Sequence, residues 1–143
     1  MRKISDVERA ALRAALQVHE PADAREDADR ERMLRFAEEH ADPFDRRLAV
    51  GHFTGSAFVV DGRGRLLLTH HGKLGIWVQL GGHAEEERRG EAVALREARE
   101  ESGLVDLGFH PALRDAAGAP RLLDVDIHPI PARRDEPAHE HLD

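Results

Sequence analysis

The stretch GGHAEEERRGEAVALREAREESGL, residues 81–104, decides how the rest of the chain is interpreted. It predicts a helix from about Gly90 to Glu101, with Gly103 as its left-handed terminator. On that helix Glu97, Glu100 and Glu101 stand three or four residues apart and share one side. Like charges at this spacing repel by about 0.2 to 0.5 kcal/mol per pair. A divalent cation would relieve that repulsion, so the stretch indicates a metal site.

The donor types favour particular metals. Oxygen-only ligands select hard ions such as Mg²⁺ or Mn²⁺, which sit between carboxylates and substrate phosphates. Arg96 precedes Glu100 by four residues and would hold that carboxylate in place. The Gly81-Gly82 pair brings bare backbone near this side, where the Gly81 carbonyl would join the metal shell. The alternative is a solvated acidic helix with internal ion pairs.

Residues 1–50 are predicted to be helical, because all twelve glycines lie at or beyond Gly51. Ser5 and Glu8 form a capping-box pattern that begins a helix from about Asp6 to His19. A second helix follows and closes before Pro43.

Beyond residue 50 the hydrophobic period changes to that of strands. Residues 57–68 are predicted to form a hairpin around an Asp61-Gly62 turn, and a short strand is predicted at Ile76 to Val78. The alternation in Leu122 to His128 indicates another strand, and Pro129 to Pro137 is predicted to be a loop. The order of elements predicts an α/β protein with a small mixed sheet.

Composition excludes several function classes. The 143 residues fit one domain, and 41% hydrophobic content is enough for a buried core. A net charge of -7 argues against binding a nucleic-acid duplex, and the lack of cysteine excludes thiolate chemistry. No apolar run approaches the roughly 20 residues of a membrane span, and no signal peptide is recognisable. We therefore expect a cytoplasmic protein without a membrane partner.

The stretch closely resembles the Nudix box, G-x5-E-x7-R-E-U-x-E-E-x-G-U, where U is aliphatic. Ala98 stands in for the first aliphatic residue, and the matching positions are Gly82, Arg96, Glu97, Glu100, Glu101, Gly103 and Leu104. One position departs from the pattern, because Arg88 replaces the first box glutamate. A permanent cation cannot bind a metal or accept a proton. Three alternatives follow: Glu87 takes over after a one-residue shift, Arg88 contacts a substrate phosphate, or activity is weakened or lost.

The resemblance implies a Nudix α/β/α sandwich, with residues 1–50 as a helical extension and residues 51–143 as the Nudix domain. It implies a hydrolase acting on phosphoric anhydrides, which cleaves the diphosphate linkage of a nucleoside diphosphate joined to another moiety. The alternative function is a catalytically inactive module that binds a nucleotide or a protein.

The implied site residues fall into three groups. Glu97, Glu100, Glu101 and the Gly81 carbonyl would hold Mg²⁺ or Mn²⁺. Glu97 or Glu100 would be the general base, and Arg96 would orient Glu100. Substrate-binding candidates are Gly82, His83 and Arg88.

Weaker patterns leave further alternatives open. A transition-metal site is conceivable at His139, His141 and Asp143, or at Asp124, Asp126 and His128, although alternating polar residues on a strand more often face water. Glu140 or Asp143 is a candidate for an additional acidic ligand.

Three further features of the sequence bear on packing and assembly. A lone Trp77 is expected in the core rather than against a nucleobase. The N-terminal helices would form a lid, a homodimer contact or extra packing. The Nudix region looks short at its C-terminus, so we expect a truncated chain or one completed by a partner.

Overall fold

The computed structural model describes residues 2–143 as a mixed α/β protein. Its helices are α1 (Asp6–Val18), α2 (Ala24–Glu39) and α3 (Gly90–Ser102), with a 3-10 turn at Pro111–Leu113. Its strands are β1 (Gly51–Ala57), β2 (Val59–Val60), β3 (Leu66–Leu67), β4 (Thr69–His71), β5 (Ile76–Val78), β6 (Leu80–His83), β7 (Ile127–Ile130) and β8 (His139–Leu142). Among the helices of residues 2–143, none combines the length and apolarity needed to cross a membrane.

Four strands form the central sheet in the order β6-β1-β8-β7. β1 pairs antiparallel with β6 and parallel with β8, and β8 pairs antiparallel with β7. The pairs β2-β3 and β4-β5 are separate two-stranded ribbons. The predicted small mixed sheet is therefore confirmed.

The hydrophobic core lies on one face of this sheet. Phe53, Leu142 and Ile127 occupy neighbouring register positions on β1, β8 and β7, so their side chains share that face. The buried cluster that includes them also contains residues of all three helices. Those helix residues are Leu16 from α1, Met33 and Ala37 from α2, and Val93 from α3. The helices of residues 1–50 and the sheet therefore share one core.

Local sequence signals account for the helices and the first hairpin. The Ser5 side chain accepts a hydrogen bond from the Glu8 backbone N–H, and the Glu8 carboxylate accepts one from the Ser5 backbone N–H, which confirms the capping box that begins α1. Gly103 ends α3 with φ of 72°, the left-handed conformation that glycine adopts freely. The pairing of Val59–Val60 with Leu66–Leu67 confirms the hairpin.

The strand predicted at Leu122 to His128 is wrong for its first five residues, because β7 begins only at Ile127. Asp126 still exchanges backbone hydrogen bonds with Asp143, at 3.1 and 2.9 Å, whereas the backbone N–H of Val125 donates to the side chain of Glu26 on α2. The predicted loop at Pro129 to Pro137 is also too long, since β7 continues to Ile130. A proline fits there because β7 is an edge strand.

Candidate active site

Helix α3 lies unusually close to the sheet because of a glycine on β1. A Cβ atom at Gly55 would lie 2.6 Å from the Gly90 carbonyl oxygen and 2.9 Å from the Ala94 nitrogen. Only a residue without a side chain permits this approach. The inner side of α3, which includes Val93 and Ala98, is buried, so its carboxylates are held at the edge of the sheet next to β6.

Arg96 links the carboxylates of this site. Its Nε donates to Glu87 at 2.6 Å, and one terminal nitrogen donates to Glu97 at 2.9 Å and to Glu100 at 3.0 Å. The other terminal nitrogen donates to the His83 carbonyl at 2.6 Å. Four of its five N–H groups are thus engaged by the protein. The contact with Glu100 is the one that the four-residue spacing predicts, and the orienting role of Arg96 stays a prediction.

The glycine pair of β6 faces the same carboxylates. The Gly81 N–H donates to Glu101 at 3.2 Å. A Cβ atom at Gly82 would lie 2.5 Å from the Cδ and Oε1 atoms of Glu97, so the Glu97 carboxylate occupies the space that a side chain would fill. The structure therefore brings together the predicted metal ligands and the backbone of both glycines.

Glu87 adds a further carboxylate to this group. Burial alone would raise the pKa of Glu87, but backbone hydrogen bonds and the Arg96 guanidinium lower it below its ordinary value. For Arg96, burial alone would lower the pKa, whereas the hydrogen bonds to Glu87 and Glu97 raise it. Glu87 thus remains ionised beside Arg96, so the residue next to Arg88 contributes a carboxylate to this group.

Arg88, in contrast, points into the protein. Its side chain is 0% exposed, and its Nε lies 2.9 and 3.0 Å from the two carboxylate oxygens of Asp42. Its terminal nitrogens donate to the carbonyls of Glu85, Glu87 and Arg2 at 3.1, 2.6 and 2.7 Å. The guanidinium cannot reach a substrate phosphate without leaving this network, so we correct the substrate-binding role to a structural one.

The backbone and the side chain of His83 make contacts on opposite faces of the sheet. Its carbonyl accepts from Arg96 at the carboxylate site, but its ring Nε2 lies 3.2 Å from Nε2 of His141 on β8. Burial lowers the pKa of His83. The ring belongs to a group of histidines and does not face the carboxylates, so the substrate contact predicted for its side chain finds no support here.

This histidine cluster, His52, His83, His139 and His141, lies on the face of the sheet opposite Phe53. The register pairs His52 with His141, which places both rings on the same face. The centroid of the His52 ring lies 5.1, 5.3 and 5.0 Å from the ring centroids of His83, His139 and His141. Burial, followed by the neighbouring histidines, lowers the pKa of His52 to about 4 and that of His141 to about 3. The rings of His52 and His141 are therefore neutral near pH 7.

Sequence reasoning found only part of this cluster. It placed His139 and His141 on one face correctly, but it assigned Asp143 as their partner and did not consider His52. Asp143 instead accepts from the hydroxyls of Thr54 and Ser56 at 2.8 and 2.5 Å. The signal that could have revealed the cluster is the polar alternation His52-Thr54-Ser56 along β1, because most of this strand is buried.

The remaining candidate ligands are engaged elsewhere. Glu140 pairs with Arg32 at 2.7 Å on the core side of the sheet. Its carboxylate is therefore engaged by α2 rather than by the glutamates of α3. Asp126 pairs with Arg25 and with His128, at 2.5 and 2.9 Å. The expectation that Trp77 is a core residue is wrong, because its side chain is 67% exposed on a separate ribbon.

The carboxylate site suits a hard divalent cation. Glu97, Glu100, Glu101 and the backbone of Gly81 offer only oxygen ligands, and the missing Cβ of Gly82 leaves the Glu97 carboxylate against open backbone. Comparison with known proteins adds no assignment, since no family model and no curated protein matches the chain.

Proposed function

We propose that this protein is a Nudix-type pyrophosphohydrolase that uses Mg²⁺ or Mn²⁺ to cleave the diphosphate linkage of a nucleoside diphosphate derivative. The observation that carries the proposal is the Arg96 network, which holds Glu87, Glu97 and Glu100 together beside the Gly81-Gly82 backbone. Ion pairs on a solvated helix surface are usually exposed and isolated, whereas Arg96 is only 19% exposed and contacts three carboxylates and a strand carbonyl.

The individual residues support this chemistry in distinct ways. Glu97, Glu100 and Glu101 would hold the metal, which supplies charge neutralisation of the diphosphate and acidifies a bound water. Glu97 or Glu100 accepts the proton of the attacking water, because both are carboxylates held in place by Arg96. Glu100 is 56% exposed, so its carboxylate is accessible from solvent.

Glu87 takes the place of the absent box glutamate in this proposal. Its carboxylate already bonds to Arg96, and it therefore helps to fix the orientation of the guanidinium that positions Glu97 and Glu100. The replacement of the box glutamate by Arg88 is then compatible with activity, because the Arg88 side chain is buried and pairs with Asp42. We also keep the α/β/α sandwich of the Nudix family as part of the proposal. Such a sandwich has helices on both faces of its sheet. In residues 2–143 the buried helix residues pack against the face that carries Phe53, so the proposed sandwich also needs a helix against the histidine-bearing face.

The test is hydrolysis of a panel of nucleoside diphosphate sugars, dinucleoside polyphosphates, ADP-ribose and nucleoside triphosphates. We expect turnover of at least one class with Mg²⁺ or Mn²⁺ and none with chelator. Glu101→Gln should abolish turnover while the circular dichroism spectrum is retained. The matched control is Glu39→Gln, which changes an exposed glutamate at the end of α2 and should leave turnover unchanged.

Two results would contradict the proposal. Full activity in Glu101→Gln would remove the metal assignment. Nucleotide binding without metal-dependent turnover across the panel would instead support the inactive binding module that the Arg88 replacement originally suggested.

A further inference from the structure

We propose that His52, His139 and His141, with His83 beside them, form a second metal site that binds a transition ion of the Zn²⁺ class. This site is separate from the carboxylates of α3 and independent of the proposed hydrolase activity. It lies on the other face of the sheet and uses nitrogen rather than oxygen donors.

The spacing of the ring nitrogens fits a single ion. One nitrogen from each of His52, His139 and His141 lies within 4.8 Å of the others. The Nε2 atoms of His139 and His141 are 3.3 Å apart, and those of His83 and His141 are 3.2 Å apart. A tetrahedral ion with Zn–N bonds of 2.0 to 2.1 Å separates its ligands by about 3.3 Å. The separations of 3.2 and 3.3 Å match the edges of such a tetrahedron, and the nitrogen of His52 lies within 4.8 Å of those of His139 and His141.

Hydrogen bonds among the rings do not account for all of their short contacts. His139 Nδ1 lies 2.9 Å from the Pro137 carbonyl, which can only accept, so Nδ1 carries a proton and Nε2 is the nitrogen left to bind a metal. His141 Nε2 has one proton at most, yet it faces the Nε2 atoms of both His139 and His83. One proton on His141 Nε2 cannot serve both contacts fully, whereas a cation between the three nitrogens would satisfy both.

His52 provides a second and independent observation. It is 0% exposed, and neither of its ring nitrogens has a hydrogen-bond partner. Burying a polar group without a hydrogen-bond partner is unfavourable, and such groups are rare in folded proteins. Coordination of an ion by one of these nitrogens would provide the missing partner. The Pro137 carbonyl that fixes the ring of His139 is a typical outer contact of a metal-bound histidine.

The donor set selects the metal. Imidazole nitrogen suits Zn²⁺, Cu²⁺, Ni²⁺ and related ions, whereas Mg²⁺ prefers oxygen. Glu136 Oε1 lies 3.8 Å from His139 Nε2 and supplies a nearby negative charge, while Arg46 opposes it. A cleft of about 460 Å³ between residues 46–49 and 135–137 is lined by His139, so it reaches one side of the cluster.

An ion at this position would stabilise the fold. The four histidines come from β1, β6 and β8, which are three neighbouring strands of the central sheet. Coordination would connect these strands without any covalent link. Because the histidines are brought together only in the folded chain, binding energy is added to the free energy of unfolding.

The test uses the untagged full chain, stripped with chelator and titrated with Zn²⁺ in a calorimeter without substrate. We expect one Zn²⁺ per chain, a rise in the thermal unfolding midpoint with Zn²⁺, and no such rise with Mg²⁺. X-ray absorption of the Zn²⁺ form should show three or four nitrogen ligands at about 2.0 to 2.1 Å, with imidazole scattering. A shell dominated by oxygen at the zinc ion would overturn the proposal.

Variants provide the second measurement. His139→Gln and His141→Asn should each weaken Zn²⁺ binding more than tenfold, since even outer-contact changes cost about 10- to 100-fold. The control His70→Gln, an exposed histidine on a separate ribbon, should bind as the parent chain does. Circular dichroism in chelator establishes that each variant is folded. Unchanged affinity in both cluster variants would refute the site.

The two proposals fail independently. Glu101→Gln should keep its Zn²⁺ affinity, because that residue is not in the histidine cluster. Loss of hydrolase activity therefore leaves the Zn²⁺ measurement interpretable, and absence of Zn²⁺ binding leaves the carboxylate site untouched.

Discussion

Arg88→Met is expected to be among the most destabilising single changes in this chain. It removes a guanidinium with 0% side-chain exposure and leaves the Asp42 carboxylate, only 9% exposed, without its cation. It also leaves the carbonyls of Arg2, Glu85 and Glu87 without this donor. Breaking a buried ion pair by removing one partner costs about 3 to 5 kcal/mol. That is a large fraction of the roughly 5 to 15 kcal/mol that stabilises a domain.

The matched control is Arg13→Met, which breaks an exposed pair with Glu38 whose N–O distance is 3.1 Å. Both side chains of that pair are about half exposed, so the expected loss is at most about 1 kcal/mol. The double change Arg88→Met with Asp42→Leu should recover part of the loss, because no buried charge then remains unpaired.

Urea unfolding followed by far-ultraviolet circular dichroism is the appropriate assay. The single tryptophan, Trp77, is already exposed in the folded state and would report unfolding poorly. At about 2 to 4 °C per kcal/mol, Arg88→Met should lower the thermal midpoint by roughly 6 to 20 °C. If Arg88→Met lowers the free energy of unfolding no more than Arg13→Met does, the structural role of Arg88 is refuted. If Arg88→Met instead raises KM at unchanged stability, the contact of Arg88 with a substrate phosphate is supported.

Three further changes test other parts of the structure. Gly82→Ala places a Cβ 2.5 Å from the Glu97 carboxylate, so metal-dependent turnover should fall on the order of 100-fold while the thermal midpoint changes little; equal turnover would contradict the proposed site. Backbone hydrogen bonding lowers the pKa of Glu26 to about 2 from its ordinary 4.5, so its contribution is complete above pH 4.5 and is lost as the pH falls toward 2. Urea titrations over that range should show a flatter pH dependence for Glu26→Gln than for the parent chain. Ser5→Ala removes the α1 cap and should cost about 1 kcal/mol in the same assay, whereas no loss would mean that Glu8 alone caps the helix.

The parts of the fold that sequence could predict are those with local causes. The α1 cap involves residues three apart, and Gly103 ends α3 through its own φ angle. Likewise, the shared side of Glu97, Glu100 and Glu101 follows from helical geometry alone. The structure accordingly agrees with the predicted helix and with the grouping of its carboxylates.

The parts that sequence could not predict depend on distant residues. The N–H groups of Val125 and Ile127 donate to Glu26 and Asp29 on α2, which lie about a hundred residues earlier in the chain. No local sequence pattern predicts these contacts. The alternation at residues 122–128 predicts a strand, but the backbone pairing begins at Asp126, which bonds to Asp143, and the N–H of Val125 is taken by Glu26. Arg88 was similarly ambiguous, since only the fold reveals that Asp42 lies beside it.

The position of His83 shows how one residue along β6 separates the two proposed metal sites. Gly82 pairs with Gly55, which contacts α3, whereas His83 pairs with Thr54 on the opposite face. Because successive residues of a strand point to opposite faces, the backbone beside Glu97 and the ring beside His141 are adjacent in sequence but belong to different sites. The oxygen ligands favour Mg²⁺ or Mn²⁺ and the nitrogen ligands favour Zn²⁺. Since no side chain is shared, the two ions should not compete, and saturating Mg²⁺ should leave the Zn²⁺ affinity of the histidine cluster unchanged.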